Sequence, residues 1–84
     1  MEKINVLLID DSAADRYIVR RYLKDICTFI EEESYYDGLF TLNTQFNKID
    51  FIILDYTLND IIPLGGAELK KTAEKFQIPF VFFS

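Results

Sequence analysis

Ile4-Asn5-Val6-Leu7-Leu8-Ile9-Asp10-Asp11 is the stretch that decides the fold. Its apolar residues are nearly continuous rather than alternating, the pattern of a strand buried on both faces in a parallel sheet. It ends abruptly in two carboxylates. A second run of the same build, Phe51-Ile52-Ile53-Leu54-Asp55, ends in a third. Parallel strands point the same way, so both runs deliver their acids to one edge, and in open α/β sheets that edge opens onto the ligand crevice. Adjacent strands lie about 4.8 Å apart, which brings Asp10, Asp11 and Asp55 within reach of one hard cation. Left without a cation or a proton, the three would repel one another. An oxygen-only set of this kind suits Mg²⁺.

Working outward, Lys3 to Ile9 is a central strand. A helix follows from Ser12 to about Ile26, with Asp11 or Ser12 as its N-cap. Ile18, Val19, Tyr22, Leu23 and Ile26 form one stripe of this helix, and Arg16, Arg20, Arg21 and Lys24 form a basic, solvated face. Thr28 to Ser34 is a strand too acidic for the middle of a sheet, since Glu31, Glu32 and Glu33 favour an edge and simple solvation. Asp37 is placed to cap a second helix whose apolar face is Leu39, Leu42 and Phe46. Asp50 to Asp55 is the third strand. A loop with Asn59, Asp60, Pro63, Gly65 and Gly66 leads to a third helix, about Ala67 to Phe76, burying Leu69, Ala73 and Phe76. After the connector Gln77 to Pro79, Phe80-Val81-Phe82-Phe83 is apolar at every position, as an interior parallel strand is. The alternation of strand and helix predicts one α/β domain over residues 1–84, with right-handed connections.

Composition bounds the function. The chain has 84 residues, half of them hydrophobic and eight of them Phe, so it is globular. A net charge of −5 argues against direct nucleic-acid binding. One cysteine, Cys27, and no histidine exclude an internal disulfide and the usual zinc sets, which fits a reducing, cytoplasmic setting. Cys27 reads as a small buried hydrophobe, and Tyr35-Tyr36 as packing. No apolar run approaches a membrane span or a signal peptide.

Taken together, Val6-Leu7-Leu8-Ile9-Asp10-Asp11 with Arg16, Asp50-Phe51-Ile52-Ile53-Leu54-Asp55, Gly66-Ala67-Glu68-Leu69 and Ile78-Pro79-Phe80-Val81-Phe82-Phe83-Ser84 make the chain resemble the receiver domain of two-component response regulators. The resemblance implies a flavodoxin-like doubly wound parallel sheet with its four strands in the order 2-1-3-4. It also implies that Asp55 accepts a phosphoryl group from a histidine kinase or phosphotransfer protein. By the same resemblance Asp11 is a direct Mg²⁺ ligand, Asp10 a ligand acting largely through water, Thr57 the backbone carbonyl that binds the metal, and Ser84 the hydroxyl that contacts the phosphoryl oxygens. The chain would be a signalling acceptor and not an enzyme.

The sequence also departs from the family. The loop after Asp55 is longer than usual, and Asn59 stands where proline is typical. The family continues past the position of Ser84 with a helix, a fifth strand bearing a phosphate-binding lysine and a closing helix, so the domain is expected to be incomplete. Two rivals follow. A haloacid-dehalogenase-type phosphatase also uses a strand-end Asp with Mg²⁺, but needs a second Asp where Thr57 stands. A degenerate receiver would serve as an interaction module without phosphotransfer. The apolar fourth strand predicts a homodimer through Phe80, Val81, Phe82 and Phe83, with face-to-face packing of the uncovered sheet faces as the fallback.

Overall fold

A computed structural model describes residues 2–55 and 65–83. Its elements run β1 (Ile4–Ile9), α1 (Ala13–Leu23), β2 (Cys27–Glu32), α2 (Tyr35–Gln45), a 3₁₀ turn at Phe46–Lys48, β3 (Phe51–Asp55), α3 (Gly65–Lys75) and β4 (Phe80–Phe83). The four strands are all parallel in the order β2-β1-β3-β4. This is the doubly wound, flavodoxin-like arrangement expected, with the two apolar runs that end in acids side by side at its centre. Among the described residues no helix is long and apolar enough to cross a membrane.

Register follows from the strand pattern. Val6 to Ile9 pair with Phe51 to Leu54, so successive side chains go alternately to the two faces. One face packs Leu7, Ile9, Ile52 and Leu54 against Tyr35 and Leu42 of α2 and Leu69 and Ala73 of α3. Gly38 allows α2 to close on β1, because a Cβ there would come within 2.7 Å of Ile9 Cγ1. At the far end of this layer Phe46 and Phe76 stack with centroids 4.3 Å apart. The helix α3 ends with Gln77 at φ 59°; its N–H donates to Glu74 O and that of Ile78 to Ala73 O, the paired bonds of a Schellman cap.

The opposite face is thinner. Val6, Leu8, Cys27 and Ile53 are covered by Val19, with Leu23 half-buried beside them. Here the expected stripe of α1 is only partly used: Ile18 and Tyr22 are exposed, at 48% and 84%. Ile26 has left the helix, because its carbonyl accepts the Ile4 N–H and so opens the β1–β2 ladder. An apolar groove of about 410 Å³ runs between α1 and the sheet, lined by Ile18, Val19, Tyr22, Leu23, Ile53 and Phe83.

Other boundaries differ for local reasons. Ser12, not Asp11, caps α1, its hydroxyl accepting the Asp15 N–H. Ser34, not Asp37, caps α2 through the Asp37 N–H, and this ends β2 at Glu32. Asp37 sits in the first turn, where its charge suits the helix dipole. The second strand is an edge as expected, but its acids are not simply solvated. Glu31 pairs with Arg16 and Arg20, and Glu32 accepts a 2.5 Å bond from the Thr41 hydroxyl. The basic face of α1 is therefore partly a bridge to β2. As the order 2-1-3-4 implies, β4 lies at an edge although it is apolar throughout, with Val81, Phe82 and Phe83 each about two-fifths exposed (42%, 39% and 38%).

Candidate metal centre

The carboxyl ends of β1 and β3 converge as their parallel pairing dictates. Asp10 directly follows β1, Asp11 is the next residue, and Asp55 is the last residue of β3. One carboxylate oxygen from each can be chosen so that all lie within 4.8 Å of one another. Asp10 is completely buried, Asp55 nearly so at 7%, and Asp11 is exposed, which gives the cluster a deep floor and an open side.

At such separations two like charges near a protein surface oppose each other by on the order of 3 kcal/mol. Such repulsion works against the fold unless a proton or a cation offsets it. Asp10 shows the strain most clearly. Burial pushes its carboxyl above the ordinary value. The Ser12 N–H, donating at 2.9 Å to Oδ1, pulls the other way, and the charges of Asp55, Asp15 and Asp11 add to the upward shift. Its second oxygen, Oδ2, is buried without a hydrogen-bond partner among the described residues. A buried oxygen left unmet costs about 1–3 kcal/mol, more when charged, so the position favours a proton or a cation.

The donor set fits a hard divalent ion. It offers only oxygens, it gathers them within 4.8 Å of one another, and one of them lacks a partner among the described residues. Asp10, Asp11 and Asp55 are the side chains that could hold it. The two other positions singled out in the sequence, Thr57 and Ser84, lie outside the described residues.

The sequence alone did not reveal the group that holds the cluster from behind. Arg16 donates from Nη1 to the Asp10 carbonyl at 2.5 Å and from Nε to Glu31 Oε1 at 3.2 Å. Arg20 donates to the other Glu31 oxygen at 2.5 Å. A signal existed in the i, i+4 spacing of Arg16 and Arg20, but only the β1–β2 register, which pairs Leu8 with Glu31, shows what they face. The opposite end of the same strands also carries an acid. Asp50, just before β3, accepts the Asn5 N–H at 2.8 Å and so fixes where β1 and β3 begin to pair.

No protein-family model matches the sequence, and no curated protein matches it either. The fold and the site geometry therefore carry the functional reading.

Proposed function

We propose that the chain is a receiver-like phosphoacceptor: Asp55 takes a phosphoryl group from a histidine kinase or phosphotransfer protein, with Mg²⁺ held by Asp10, Asp11 and Asp55. The observation that carries this reading is the convergence of the three carboxylates within 4.8 Å, one of them with a buried, unmet oxygen. When bound, the cation supplies positive charge against the oxygens of the phosphoryl group in transfer. The chain supplies the nucleophile. A carboxylate oxygen of Asp55 forms the new P–O bond as the P–N bond to the donor imidazole breaks; the imidazole nitrogen keeps the electron pair and takes a proton, and Asp55 becomes an acyl phosphate. Asp10 contributes a fixed, buried carboxylate, and Asp11 an exposed one at the open side. The resemblance further assigns the Thr57 carbonyl to the metal and the Ser84 hydroxyl to the phosphoryl oxygens. The protein is the accepting partner and not a turnover enzyme, and a single free cysteine suits a cytoplasmic setting.

The test is incubation of the chain with acetyl phosphate and Mg²⁺ followed by intact-mass measurement. One added phosphoryl mass is expected in the parent and none in Asp55→Asn. Labelling that survives Asp55→Asn refutes the assignment, and an unlabelled parent leaves the second reading, an interaction module without phosphotransfer. That second reading draws on β4, whose apolar Val81, Phe82 and Phe83 are part-exposed on the last strand of the sheet order. Flat apolar edges invite strand pairing, and we propose a two-fold homodimer joined through β4. Light scattering at micromolar concentration should report twice the monomer mass; a stable monomer would remove the dimer from the account.

A further inference from the structure

We infer that Arg16 is a positioning residue for the cation site, acting through the backbone of Asp10. The inference rests on the cation reading of the acid cluster and adds to it the group that keeps the cluster in shape.

Asp10 is gripped at three points. Its N–H donates to Glu32 O at 3.0 Å, its Oδ1 accepts the Ser12 N–H at 2.9 Å, and its carbonyl accepts Arg16 Nη1 at 2.5 Å. Oδ2 is left without a partner among the described residues. The carbonyl belongs to the planar peptide that joins Asp10 to Asp11, so holding it sets the direction in which Asp11 departs from the strand. The guanidinium is itself held, by Glu31 through Nε, and Glu31 in turn by Arg20. The Arg16 side chain is 15% exposed against 44% for Arg20, so Arg16 is the built-in member of the pair and Arg20 the outer brace. A planar fork reaches the carbonyl after β1 and the carboxylate on β2 at once, which a lysine, a point donor on a flexible stem, does not reproduce.

Charge and position make opposite predictions here. A guanidinium behind a cation site repels the cation, so if Arg16 acted only through its charge, its removal would tighten Mg²⁺ binding. If it acts by holding the Asp10–Asp11 peptide, removal weakens binding, and outer residues of this kind commonly change metal affinity about ten- to a hundred-fold.

The experiment is calorimetric titration of Mg²⁺ into the full chain and its Arg16→Gln and Arg16→Lys variants, at a temperature where circular dichroism shows each fully folded. Binding about ten-fold or more weaker in Arg16→Gln is expected, with a loss in Arg16→Lys as well, which keeps the charge but not the planar fork. Equal or tighter binding in Arg16→Gln overturns the inference. Should Arg16→Gln fail to fold, Arg16→Lys decides: weaker binding supports positioning, and unchanged affinity overturns it. A parent chain that binds no Mg²⁺ overturns the cation reading and this inference together, whereas a parent that binds and variants that match it overturn the inference alone.

Discussion

The two ends of the central strands carry the same residue type in opposite circumstances. At the amino end, Asp50 accepts the Asn5 N–H and fixes where β1 and β3 begin to pair. At the carboxyl end, Asp10 is fully buried beside two further acids, with one oxygen unmet. The first arrangement lowers the energy of the fold; the second raises it until something else arrives. Asp50 has its partner within the chain, whereas Asp10 is held in place with one oxygen unmet among the described residues.

The largest expected effect that separates the two ends is the response to metal. Mg²⁺ at ten times its Kd should stabilise the parent by about 1.4 kcal/mol, which for a domain of this size raises Tm by about 5–10 °C. In Asp10→Asn this rise should shrink or vanish, while the amide oxygen can still accept the Ser12 N–H. An unchanged rise in that variant would erase the distinction between the two ends.

Acidity should separate them next. The folded-state pKa of Asp10 lies above its unfolded value, so the native state binds the proton more tightly, and this group alone favours folding more as pH falls through the folded pKa. Its contribution is complete below the unfolded pKa and is lost as pH rises through the folded one. In metal-free buffer at neutral pH, Asp10→Asn should therefore melt above the parent, and the gap should close toward the acid end of that window. A variant that melts lower at neutral pH would show that the charged form is stabilised by its surroundings and that no open valence exists.

The smallest effect belongs to the amino end. Asp50→Ala removes the acceptor for the Asn5 N–H at an exposed position and should cost about 0.5–1.5 kcal/mol by denaturant melt, with the Mg²⁺ response intact. Loss of the metal response in that variant would couple the two ends and sharpen the picture into one of strand register.

Much of this was legible in the sequence. Continuous apolar runs ending in acids were enough to bring Asp10, Asp11 and Asp55 together, because parallel pairing fixes which ends meet, whereas the strand order 2-1-3-4 came only with the receiver resemblance. Periodicity served less well on α1, where it groups Ile18, Tyr22 and Ile26 with Val19 but says nothing of what covers them; the first two are exposed on the helix and Ile26 joins the ladder. Capping was left open between Asp11 and Ser12 at α1 and was misplaced at α2, where Asp37 was expected and Ser34 supplies the oxygen, since local geometry alone decides which oxygen meets the free N–H. The roles of Glu31 and Arg16 were hidden because they depend on strand register between distant segments.

Backbone NMR of the metal-free chain titrated with Mg²⁺ tests the central claim most directly, since it watches both ends of the sheet at once. Saturable shifts confined to the amides around Asp10, Asp11 and Asp55, with those of Asn5 and Asp50 unmoved, are predicted. Shifts that never saturate, or that spread evenly over the acidic surface and reach Asp50 as strongly as Asp10, would contradict it.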